Sequence, residues 1–171
     1  LMSRNRFPAV GDASTYFFTL SPHTYLWFSL ERSFISLDQH TDIPQLKMDH
    51  WTDIVSKDMK SVLGTKILPG YLSKQKWFLG RFKTLYGVDI VQHELIQHQG
   101  VEGMLLIIEA SYDSGLPELY QLMVTFARDE AAKKLADNCP HAIIAHIHAG
   151  DMEGVLADAF FVTDFQKTLF Y

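Results

Sequence analysis

The chain has 171 residues, 47% apolar and 20% charged, enough for one domain, or one and part of another, burying roughly two-thirds of its unfolded surface. Its formal charge of −5, with Lys and Arg spread along the sequence, lacks the electrostatic footprint of a nucleic-acid binder. Cys139 is the single cysteine, which excludes an internal disulfide and a zinc site built on cysteines alone, and fits a reducing cytoplasm. No apolar run reaches the roughly 18 residues of a membrane span, and the opening LMSRNRFPAV has no signal-peptide core, so neither a membrane nor export is expected.

In chain order, residues 15–30 (TYFFTLSPHTYLWFSL) alternate Tyr16, Phe18, Leu20 and then Leu26, Phe28, Leu30 around a Ser-Pro-His turn, the pattern of a β-hairpin. Residues 32–50 have no sustained period and read as a linker. From Trp51 the period becomes helical, with Ile54, Val55, Met59, Val62, Leu63 and Ile67 on one stripe, Thr52 as N-cap and Pro69-Gly70 as the stop. Four strand-like runs follow: TLYGVDIVQHELIQ, GMLLIIEASYD, LPELYQLMVTFAR and HAIIAHIHAG. Met104, Leu106, Ile108 and Ala110 share one face of their strand, as do Tyr120, Leu122, Val124 and Phe126 of theirs. The other face, with Glu109, Gln121 and Thr125, is expected to be solvated. DEAAKKLADN reads as a short exposed helix, and TDFQKTLFY as the start of another. The fold class is therefore α+β: a curved antiparallel sheet packed on one main helix, preceded by a hairpin and a linker.

The residues offer few sites for chemistry. His146 and His148 project from one face of a strand, near His141 and Asp151, and could ligate a metal; a strand whose solvent face carries histidines has the same pattern. Glu109 with Asp113, or Glu153 with Asp158, could serve as paired carboxylates. The chain has no nucleophile elbow, Gly-rich phosphate loop, kinase catalytic-loop pattern or His-Glu-x-x-His. In YLSKQKWFLGRFK, Lys74, Lys76, Arg81 and Lys83 surround Trp77 and Phe78. Lys76 and Arg81 could bind a phosphate or sugar there, whereas a structural anchor of Pro69, Tyr71, Trp77 and Phe78 would bury both rings beneath the sheet, with the basic side chains reaching water.

That stretch also resembles the N-terminal signature of bacterial maltokinases, through Leu68, Pro69, Tyr71, Leu72, Gln75, Lys76, Trp77, Phe78 and Arg81; LYQLMVTF and LADAFFVTDFQKTLF, with Asp158, Ala159 and Asp164, are similar to later segments of that family. Residues 1–31 resemble the C-terminal end of trehalose synthase through Phe7, Pro8, Gly11, Tyr16, Thr19, Leu20, Pro22, His23, Trp27 and Phe28. The two resemblances imply a fused enzyme that interconverts maltose and trehalose and phosphorylates maltose with ATP and magnesium in the cytoplasm. They imply the boundaries 1–31 synthase hairpin, 32–50 linker, 51–162 cystatin-like maltokinase cap and 163–171 start of the next kinase subdomain. Both active sites are then expected outside this chain, which would itself hold no cofactor and would contact the remaining kinase lobes and the upstream synthase domain. Where the family usually carries Gly-Lys-Gly-Arg after Trp-Phe, this chain has LGRFK, so no ligand role is carried over to those positions. A self-contained module cupping a sugar or peptide is the alternative reading, and a histidine-metal hydrolase a third.

Overall fold

The apolar stripe that begins at Trp51 and the strands after Thr84 dictate the architecture: a helical rod laid on one face of a sheet. The computed structural model describes residues 43–98, 100–113 and 115–169, with Ser21, Pro22 and Tyr25; the expected 15–30 hairpin and most of the 32–50 linker lie outside the described residues. The strands are β1 (Gln45–Met48), β2 (Leu85–His98), β3 (Val101–Tyr112), β4 (Glu118–Ala127), β5 (Ile143–Ala149) and β6 (Met152–Asp158). They form one curled sheet in the order β1-β5-β6-β4-β3-β2.

The α+β class and the four expected strands are present, with two additions. β1 lies in the stretch read as linker, and it runs parallel to β5, so the sheet is antiparallel except at that edge. β6, in GVLAD, was not expected as a strand: Val155, Leu156 and Ala157 are all buried, and a run covered on both faces has no alternation to betray it.

The main helix departs from expectation at both ends. Trp51–Val55 form a 3-10 turn rather than the start of the α-helix, because the Asp53 carboxylate accepts the His50 N–H at 2.9 Å. The N-cap is Ser56, not Thr52: its hydroxyl accepts the Met59 N–H at 3.4 Å and opens α1 (Lys57–Val62). Pro69-Gly70 does not stop the helix either. Leu63–Ile67 form a π turn in which the Leu68 N–H reaches back to the Leu63 carbonyl, and α2 (Leu68–Ser73) continues from it. This shift in bonding register places Pro69 in the first turn of α2, where a missing N–H leaves no interior bond unmade. Leu68, Tyr71 and Leu72 are thereby added to the buried stripe.

Ile54, Leu63, Ile67, Leu68 and Leu72 pack on Met104, Leu106, Ile108, Leu122 and Val124, while Val55, Met59 and Val62 are half-buried at the margin. Gly64 sets the spacing, since a β-carbon there would lie 2.2 Å from the Val88 carbonyl oxygen of β2. The opposite face is not simply solvated. Gln121 is exposed, but Thr125 is buried and donates to the Glu102 carbonyl at 2.6 Å. Across that face lies α4 (Thr163–Leu169), whose fully buried Phe165 occupies the space over Gly103 and packs with Met123, Ile96 and Leu105. The exposed helix expected at DEAAKKLADN is α3 (Asp129–Asn138), which seats Leu135 against Ala127, Ile143 and Val155.

Two glycines of the helical rod test this spacing. Gly64→Ala has to push a β-carbon into the β2 backbone and is expected to lose about 1–3 kcal/mol by overpacking. Gly70→Ala meets nothing within 4 Å and gains up to about 1 kcal/mol of helix propensity. Urea midpoints of the two variants should move in opposite directions from the parent.

Candidate functional site

The end of α2 is tied to the end of β6 by buried polar groups. The Tyr71 hydroxyl donates to Asp158 Oδ2 at 3.2 Å, and the other carboxylate oxygen accepts the Phe160 N–H at 3.0 Å. One carboxylate thus braces the helix and caps the 3-10 turn Ala159–Phe161. Gln75, also buried, donates to the His141 carbonyl at 3.0 Å. Burial pushes the Asp158 carboxyl above the usual range, although the Phe160 N–H, the Tyr71 hydroxyl and the nearby His141 all favour its ionised form. Burial, with the Asp158 charge second, raises Tyr71 as well, so Tyr71 remains a donor.

The basic and aromatic stretch forms a second constellation beyond the helix. Phe78 is buried and packs on Tyr120 with ring centres 4.9 Å apart. Trp77 corrects the expectation that both rings are buried: it is 40% exposed, its ring nearly perpendicular to Phe78 and tilted against Tyr120. The two rings sit on a turn closed by the Phe78 N–H on the Gln75 carbonyl at 3.3 Å, and both lie against Tyr120, Phe78 inside and Trp77 at the margin. Pro69 and Tyr71 are buried.

Arg81 Nη1 donates to the Lys76 carbonyl at 2.6 Å, and its guanidinium lies 4.6 Å from the Phe82 ring centre. Lys83 pairs with Glu118 at 2.6 Å, and Tyr112 and Tyr120 donate to the second oxygen of that carboxylate at 2.7 and 2.5 Å. The Lys83 bond first, then those of Tyr120 and Tyr112, hold Glu118 down at about 2. Gly80 lies inside this cluster, a β-carbon there falling 2.2 Å from the Tyr112 hydroxyl oxygen.

The histidines and carboxylates separate. His146 is exposed, His148 Nδ1 faces Glu153 at 3.1 Å, and His141 sets its ring against the edge of Phe161. Among the described residues no three His, Cys, Asp or Glu side chains gather where a metal ion could be held. Glu153 and Asp158 lie at opposite ends of β6, about 16 Å apart along a strand, and Glu109 and Asp113 about 13 Å apart, beyond the roughly 5–9.5 Å of a glycosidase pair. The sequence reading missed the Tyr71–Asp158 pair, whose signal was an aspartate inside an apolar run, and the Tyr112–Glu118–Tyr120 triad, which has no spacing signature.

Two outcomes follow from these positions. Phe78→Ala should cost about 3–5 kcal/mol and Trp77→Ala at most about 1, measured by denaturant unfolding. For Asp158, a folded-state carboxyl raised above its unfolded value means the native protein holds the proton longer, so stability falls as pH rises through that window. Asp158→Asn keeps an acceptor for Phe160 and a polar partner for Tyr71 and should remove this slope. Its midpoint gain over the parent should be present at pH 7 and vanish below the carboxylate range.

A family model described as the maltokinase N-terminal cap domain matches residues 71–161. The match opens at Tyr71 and closes just past Asp158, so it contains both ends of the buried seam, the whole aromatic corner and strands β2 to β6. No curated protein matches the chain. With more than half of its residues in that match, the chain belongs to the maltokinase N-terminal cap domain family.

Proposed function

We propose that the chain acts as a non-catalytic cap and linker, stabilising the kinase lobe of a maltokinase and coupling it to a trehalose synthase upstream. The observation that carries this reading is the family match over residues 71–161, which takes in β2 to β6 and the aromatic corner. The synthase half rests on the resemblance of residues 1–31 alone. In this reading the parent phosphorylates maltose in the cytoplasm with magnesium-ATP, bound by a catalytic lobe outside this chain. Among the carboxylates described here, Asp158, Glu153 and Glu118 are engaged by Tyr71, His148 and Lys83. No described helix is long and apolar enough to cross a membrane.

Thermal unfolding of the 171-residue chain with millimolar maltose, trehalose or magnesium-ATP tests this. A ligand at a hundred times its dissociation constant adds about 2.7 kcal/mol, a few degrees at this length. An unchanged midpoint with all three is expected. A clear rise with any one would overturn the non-catalytic reading and assign the chain a ligand site.

A further inference from the structure

The positive charge is less evenly spread than the composition suggests. Residues 59–88 hold six of the chain's cationic side chains and no Asp or Glu. Within that stretch a 3-10 turn, Leu79–Phe82, presents Leu79 at 74% and Phe82 at 84% exposure, with Trp77 beside it at 40%. Leu116, 84% exposed, precedes the Glu118 that Lys83 grips. Single exposed apolar side chains are ordinary, but a group of them at one corner marks an interaction surface.

The turn is also held in place. Gly80 is wedged against Tyr112 and Phe78, Arg81 is bonded to the Lys76 carbonyl, and one face of the Phe82 ring is covered by the guanidinium. Glu118, the acid that Lys83 reaches, is engaged by that lysine and two tyrosines. The corner therefore offers preorganised apolar side chains among Lys74, Lys76 and Arg81.

We propose that this corner docks a protein surface on which apolar side chains are set among carboxylates. Leu79 and Phe82 pack into it, and Lys74, Lys76 and Arg81 pair with its acids. Charge complementarity fixes the sign of the partner. A lipid surface is disfavoured because the apolar side chains come from a four-residue turn, not from the long amphipathic helix that lies in a bilayer interface. The inference does not depend on which enzyme the cap accompanies.

The test is titration of the 171-residue chain into a labelled amphipathic peptide with a leucine face flanked by glutamates, alongside polyglutamate and vesicles of phosphatidylserine and phosphatidylcholine. Saturable, salt-sensitive binding to the peptide is expected. It should weaken about tenfold, as for a hot-spot residue, in Phe82→Ser and in Arg81→Glu, and stay unchanged in Lys133→Glu on α3. Phe82 is exposed, so its variant should keep the parent's unfolding midpoint and any loss of binding is then not a loss of fold. Equal binding to polyglutamate, binding to vesicles alone, or no binding to the peptide would each overturn the proposal.

Discussion

Everything in this fold depends on how closely a helical rod can approach the backbone of a strand. At Gly64 the rod comes so near β2 that no side chain fits between them, and this contact sets the depth at which Leu63, Ile67, Leu68 and Leu72 enter the core. The π turn lies at the same place. By widening the helix just before Pro69 it lets one rod continue for another turn and a half, and so carries Tyr71 to Asp158 and Gln75 to His141. Had the helix stopped at the proline, the sheet's β4–β6 half would have had no buried polar tie to it.

The sheet in turn decides what faces solvent. Main-helix side chains cover one face, while Phe165 of α4 closes part of the other. At the exit from the helix a short turn braced by Tyr112, Phe78 and Arg81 carries Leu79 and Phe82 into solvent beside Trp77, while other exposed apolar side chains, Val91 and Phe160 among them, stand elsewhere. Membership of the maltokinase cap family and this braced corner are separate observations, one about ancestry and one about surface chemistry.

Local patterning made the main strands and the helical stripe legible, because alternation at Met104–Ala110 and the helical period at Ile54–Ile67 are direct consequences of one-sided burial. Signals that depend on distant partners were not legible. Among the described residues β1 is four residues long and pairs only with β5; β6 is buried from Val155 onward on both faces; the proline's usual meaning was overridden by a bonding shift that has no sequence signature. The family resemblance found the stretch around Trp77 and Phe78 but not its geometry, since nothing in adjacent Trp and Phe says which ring turns inward. Asp158 and Tyr71 were both noted as family matches, yet their bond joins positions 87 residues apart, beyond any spacing argument.

The parallel pairing of β1 has a kinetic consequence. Gln45 lies opposite His146 and Leu46 opposite Ile147, so this strand closes a loop of about a hundred residues, the most expensive closure in the sheet in chain entropy. The β2–β3 and β5–β6 hairpins are local and can form early; β1 has no edge to join until β5 is in place. β1 is therefore expected to join the sheet after the β5–β6 hairpin that supplies its edge. During synthesis β1 emerges ahead of the other described strands and has to wait for a partner made nearly a hundred residues afterwards.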